Sequence, residues 1–138
     1  MTTFDYSSLS PGTKRVIIIG CGGLGIFLAS SLADEGHRIR ILDPVRNALE
    51  GLPRGPIDEG LIMPMLANGT SEDDLLKAAI RDADLFISAT GSDSINALTA
   101  QMARHMFDIQ AVICRIEEAS RQHLYQSLGL VTVSGTGL

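Results

Sequence analysis

The 138-residue chain has room for one domain with its own core, and 45% hydrophobic and 20% charged residues is ordinary globular usage. A formal net charge of −5 excludes the basic face of a nucleic-acid binder but not a nucleotide, since backbone amides and one or two arginines can hold phosphates. No apolar run is long enough to span a membrane, and the start MTTFDYSSLSPGTK lacks the apolar middle of a signal peptide. Cys21 and Cys114 follow neither disulfide nor metal spacing, which suits a reducing, cytoplasmic setting.

In chain order, residues 1–13 read as a flexible leader ending in Ser10-Pro11-Gly12, and residues 14–138 as the domain. Arg15–Ile19 is a β-branched run typical of a strand buried on both faces of a parallel sheet. A glycine turn follows, then a helix over 24–35 that Gly36 stops. Arg38–Leu42 is the second strand, closing on Asp43-Pro44, with a weak helix over 45–51 and a Gly/Pro-rich loop over 51–60. Leu61–Leu66 contains Pro64, which cannot donate to a sheet ladder, so it reads as an edge strand. Thr70 and Ser71 stand three residues before Asp73 and Asp74, a carboxylate capping box opening a helix to about Ile80. Leu85–Ala89 is the fourth strand. Ser92 or Ser94 caps a helix through Phe107, Ala111–Cys114 is the fifth strand, Glu117–Leu128 the last helix and Leu130–Val133 the sixth strand. The βα alternation predicts a doubly wound, Rossmann-type parallel sheet with right-handed crossovers.

The segment VIIIGCGGLG places Gly20, Gly22 and Gly25 in the G-x-G-x-x-G spacing between a buried strand and a helix, with Cys21, Gly23 and Leu24 between them. The first glycine permits the sharp turn, the second leaves room for a pyrophosphate, and the third lets helix and sheet approach. The helix N-terminus then presents free amides and a positive dipole end to phosphate oxygens. Asp43 ends the second strand, where a carboxylate accepts hydrogen bonds from a ribose hydroxyl and repels a 2′-phosphate. That favours NAD, ADP or AMP over NADP, although Arg46 near Pro44 could accommodate a 2′-phosphate. Thr90 and Gly91 end the fourth strand at the same sheet edge, and Arg115, at the end of the fifth, is a candidate partner for phosphate. Cys21 beside a helix N-terminus could become a thiolate, but small residues are common in glycine loops, and the inert reading is preferred. His37, His105 and His123 form no metal spacing.

From Lys14 to Val133 the chain resembles the RCK N-terminal (TrkA-N) domain of potassium-transport regulators. The resemblance is carried by KRVIIIGCGGLG, LADEGHRIRILD, DADLFISATGSDSIN and AVICRIEEASRQHLYQSLG, in that order. It implies six strands in the order 3-2-1-4-5-6, no catalysis, and a regulatory adenine nucleotide: NAD or NADH first, ADP or AMP next, ATP last. It also implies a cytoplasmic position at the inner face of a membrane-embedded potassium transporter or channel subunit. In such domains the ligand contacts map onto Gly20, Gly22, Gly25, Asp43, Thr90, Gly91 and Arg115. Three departures stand out. Ala67-Asn68-Gly69-Thr70 replaces the family's Gly-Asp-Ala-Thr, so Asn68 stands for an acid near adenine. Gly23 replaces the arginine of ATP-responsive members. The sequence stops at Leu138 without the family's crossover helix, which leads to an expected weak, concentration-dependent homodimer. Ile95, Leu98, Met102 and Met106 recur at helical spacing, and most of that stripe is expected against the sheet, leaving a modest remainder for a partner. The competing reading is the cofactor half of a small NAD-dependent dehydrogenase of the siroheme type; a third is a Rossmann module with an empty pocket, serving interaction alone.

Overall fold

A computed structural model describes residues 12–134; the leader lies almost wholly outside the described residues. Six parallel strands form one sheet in the order β3-β2-β1-β4-β5-β6: β1 Arg15–Ile19, β2 Arg38–Asp43, β3 Ile62–Leu66, β4 Leu85–Ser88, β5 Ala111–Arg115 and β6 Val131–Val133. The helices are α1 Gly23–Asp34, α2 Arg46–Leu49, α3 Arg54–Asp58, α4 Glu72–Lys77, α5 Asp93–Gln101 and α6 Ala119–Ser127. The strand order reverses between β1 and β4, and this is where a doubly wound sheet opens a crevice at its carboxyl edge.

Burial of the central strands on both faces explains the unbroken apolar runs. Val16, Ile18, Ile39, Ile41, Leu85 and Ile87 build one core layer with Ala29, Leu32 and Ala33 of α1. Ile17, Ile19, Leu42 and Phe86 build the other, against Leu75 of α4 and the small residues of α5. Pro64 lies on the edge strand β3, as a residue without a backbone donor should. Among the described residues no helix is long and apolar enough to cross a membrane.

Several elements depart from the expectation. The 51–60 stretch is not all loop, because α3 occupies Arg54–Asp58 with Pro53 as its N-cap. Pro56 falls in the first turn, where its missing N–H has no intrahelical acceptor to lose. The Ser71 hydroxyl caps α4 by accepting the Asp74 amide at 3.2 Å, but the Asp74 carboxylate reaches past the cap to the Asn68 amide at 2.8 Å. That helix ends at Lys77 rather than Ile80, and Ala79 takes a left-handed φ of 57° before a short 3-10 turn over Ile80–Asp82. Of the two candidate serines, Ser92 caps α5 through the Ile95 amide. The α-helix ends at Gln101, and a π-helical turn carries the chain over Met102–Met106. α6 begins at Ala119, so Glu117 and Glu118 precede it instead of forming its first turn.

The apolar stripe of α5 is the largest correction. Ile95, Leu98 and Met106 are 40%, 50% and 51% exposed, and only Met102 packs partly against the core. The face against the sheet is made instead by Asn96, Ala97, Thr99 and Ala100, continued by Ala103. Small residues let the helix lie close to β4 and β5, and the polar ones are satisfied: the Thr99 and Ser88 hydroxyls lie 2.7 Å apart. Helical spacing identified an apolar face; the side chains that face the sheet are the small neighbours one position away.

Candidate nucleotide site

The glycine loop leaves β1 at its carboxyl end. Gly20 has φ +104°, and its N–H donates to the Leu42 carbonyl at 2.8 Å, which ties the loop to β2. A Cβ on Gly20 would lie 2.9 Å from the backbone of Ala89 and Thr90, and one on Gly25 would lie 1.9 Å from the Gly20 oxygen. Those two glycines are demanded by the fold. Gly22 and Gly23 are different, because a Cβ on either would meet nothing within 4 Å. Gly22 also sits at φ −87°, a conformation open to any residue. Gly91, across the crevice on the β4–α5 turn, likewise faces open space. Nothing in the protein explains the missing side chains at these three positions, whereas a phosphate close to the backbone would.

The first turn of α1 suits an anion. No side chain caps Gly22 as N-cap, and the first turn holds no acidic residue to compete. Asp43 closes the opposite wall. Its Oδ2 accepts the Cys21 amide at 2.9 Å and its Oδ1 accepts the Val45 amide at 2.8 Å, so one carboxylate fixes both the glycine loop and the β2–α2 turn. Each oxygen keeps a second lone pair for a ribose hydroxyl. A cavity of about 210 Å³ lies between these elements, lined by Gly20, Asp43, Pro44, Asn68, Gly69 and Thr90 with Ile19, Leu42 and Ile95.

Asn68 accepts both the amide and the hydroxyl of Thr70 through its Oδ1, at 2.9 and 2.7 Å, and so shapes its own turn. Gly69 is needed for space, since a Cβ there would come within 2.5 Å of Ile19. Cys21 is 2% exposed, and burial, then the Asp43 charge, pushes its thiol up to about 11. It packs in the core layer with Val16 and Ile18, where burial favours the neutral thiol.

Two of the candidate cations stand apart from this cavity. Arg46 lines a separate hollow of about 400 Å³ with Arg54, Pro64 and Leu66. The Arg115 guanidinium is engaged by Glu117, with Nε donating to Oε1 at 2.8 Å. Leu24 packs on the core beneath the loop.

Sequence reasoning missed two residues. Ile95, which helical spacing alone places in the packing stripe, forms an apolar wall of the cavity. Asn96 is fully buried and joins both strand ends at the crevice. Its Oδ1 accepts the Thr90 amide and hydroxyl at 2.9 and 2.6 Å, and its Nδ2 donates to the carbonyls of Thr90 and Arg115, both at 2.9 Å. A polar residue four positions after the capping Ser92, one full turn into the helix, is the available signal. Asn96→Ala removes the side-chain partner of two part-buried carbonyls and an amide, so we expect a loss of about 1–3 kcal/mol in chemical denaturation. A change under about 1 kcal/mol would show that water replaces the side chain readily.

Comparison with known proteins places this geometry. The family model described as the TrkA-N domain matches residues 16–134. The Trk system potassium uptake protein TrkA of Streptomyces coelicolor is 32% identical over 120 residues, which is 87% of this chain and 52% of that protein. The chain thus spans about half the length of the curated relatives it matches. Among solved structures, the TrkA-N domain of the inner membrane protein ybaL from Escherichia coli superposes with a TM-score of 0.75 at 16% identity, covering 92% of this chain and 91% of that one. The GsuK channel bound to NAD superposes at 0.68 and 18% identity, covering 88% of this chain and 21% of that one. At these identities the structural matches carry the fold alone.

Proposed function

Because the chain belongs to the TrkA-N domain family, we propose that it is the nucleotide-sensing domain of a potassium transporter or channel, regulatory and not catalytic, working on the cytoplasmic side of the membrane. NAD or NADH is its leading ligand, with ADP or AMP next. The observation that carries this reading is Gly22, a glycine the fold does not require, at the uncapped N-terminus of α1 and beside a carboxylate that ends β2. In it, the amides after Gly22 hold the phosphates and Asp43 accepts the ribose hydroxyls. The adenine lies toward Asn68 and Ile95. The names of the relatives and the NAD bound to the GsuK channel support the same assignment.

Binding shifts a transporter's equilibrium only through different affinities for its two states. Pro44, Asn68 and Thr90 belong to three different turns around one cavity, so a nucleotide that bridges them favours one arrangement of the three. The exposed apolar side chains of α5 are available to a second copy or to the transporter, and the reading includes a homodimer of modest strength.

A thermal-shift panel tests the ligand. At a hundred times its dissociation constant a ligand bound only to the native state adds about 2.7 kcal/mol, a readily measured rise in melting temperature. NAD, NADH, ADP or AMP should stabilise the chain more than NADP at equal concentration, and NADH should not be oxidised in the presence of carbonyl or imine substrates. Stabilisation by NADP equal to that by NAD would remove the role given to Asp43.

A further inference from the structure

The geometry points to a second anion site at the amino-terminal edge of the sheet, fitted to a small, multiply charged phosphate such as pyrophosphate or a phosphate monoester. Arg15 opens β1, Arg38 opens β2, and Arg40 follows Arg38 by two residues. Side chains alternate along a strand, so Arg38 and Arg40 share a face. Arg15 is in register with Arg38 on the neighbouring strand. All three line one cavity of about 290 Å³, together with Leu61, Met63 and Asp82.

The chain carries a net charge of −5, so this convergence of cations is not a consequence of a basic composition. Of the other arginines, Arg115 pairs with Glu117 at 2.8 Å and Arg121 with Glu118 at 3.0 Å, Arg104 donates to the Gln110 carbonyl and Arg81 lies over the Phe107 ring. Among the described residues, none of the Arg15, Arg38 and Arg40 guanidiniums makes an ion pair or a hydrogen bond. Two acids stand close in the fold and neither neutralises them. Asp82 lines the cavity without pairing, and the Asp84 carboxylate accepts the backbone amide of Arg15 at 2.9 Å. Like charges on adjacent strands repel. A phosphate dianion would relieve that repulsion, and planar guanidinium forks match its oxygens.

The charge of the lining narrows the ligand. Three guanidiniums around one cavity of about 290 Å³ suit a compact, multiply charged phosphate with a small organic part. Leu61 and the half-exposed Met63 give that organic part an apolar wall. The site is also separate from the glycine loop. β1 runs from Arg15 to Ile19, which sets the two regions about 13 Å apart along the strand, on opposite edges of the sheet. Both sites can therefore be filled at once.

Inorganic pyrophosphate is the probe, titrated at fixed ionic strength into isotope-labelled protein and followed by amide NMR. The expected result is a saturable set of shifts at residues 38–40 and 60–63. In the Arg38→Gln, Arg40→Gln double variant that set should weaken at least tenfold in affinity, while any response at Gly20–Gly25 stays as in the parent. Both side chains reach the solvent-open cavity, and an unchanged dispersion of the remaining signals verifies the variant's fold. Absence of saturation at residues 38–40 and 60–63 in the parent, or equal affinity in the double variant, would overturn the assignment.

Discussion

Gly25→Ala should cost the folded state about 3 kcal/mol, near the upper end of overpacking penalties, although alanine is the better helix former by about 1 kcal/mol. The new Cβ would lie 1.9 Å from the Gly20 carbonyl oxygen and 3.0 Å from its carbon, so the opposing atoms are backbone and cannot rotate away. Gly20 cannot retreat either. Its N–H is held by the Leu42 carbonyl, its φ is +104°, and Ala89 and Thr90 press on its other side. Relief requires α1 to move off the sheet, which opens the layer where Ala29, Leu32 and Ala33 meet Ile18 and Ile41. For a chain of this size the melting temperature should fall by roughly 10 °C. A loss below about 1 kcal/mol would mean that α1 and β1 are less tightly packed than this geometry requires.

Gly22→Val should do the opposite: leave the fold nearly intact and remove nucleotide binding. A Cβ at Gly22 meets nothing within 4 Å, and φ −87° with ψ −164° is extended backbone that valine adopts readily. Valine is a poorer N-cap than glycine, so a stability loss of about 1 kcal/mol or less is expected. The branched side chain would fill the space in front of the first-turn amides, and NAD affinity should fall at least a hundredfold, about 2.7 kcal/mol. The contrast between two glycines three residues apart separates a residue the fold needs from one the ligand needs. Normal NAD binding by the valine variant would place the phosphates elsewhere.

Much of the fold was legible because its signals are local. Val16–Ile19 and Leu85–Ile87 are buried on both faces, and such stretches must be continuously apolar. Pro64 marked the edge strand because a missing donor is tolerated only there. The glycine spacing and Asp43 marked the crevice because turn geometry depends on few residues. What was not legible depends on partners distant in sequence. Asn96 matters through the Arg115 carbonyl, 19 residues away, and no spacing rule records that contact. The pairing of Arg115 Nε with Glu117 likewise depends on the fold of the turn after the fifth strand. The stripe from Ile95 to Met106 misled for a related reason: periodicity identifies an apolar face but not whether the sheet or a partner covers it. The family resemblance supplied the strand order, which alternation of strands and helices alone leaves open.

The central claim is that an adenine dinucleotide binds across the carboxyl edge of this sheet, with its phosphates on the glycine loop. Amide NMR of the chain titrated with NAD tests it most directly, because it reports both binding and place. The account predicts saturable shifts at residues 20–25, 43–45, 68–70 and 90–92, which the Gly22→Val variant should not show. Shifts confined to other surfaces, or none at millimolar NAD, would contradict it.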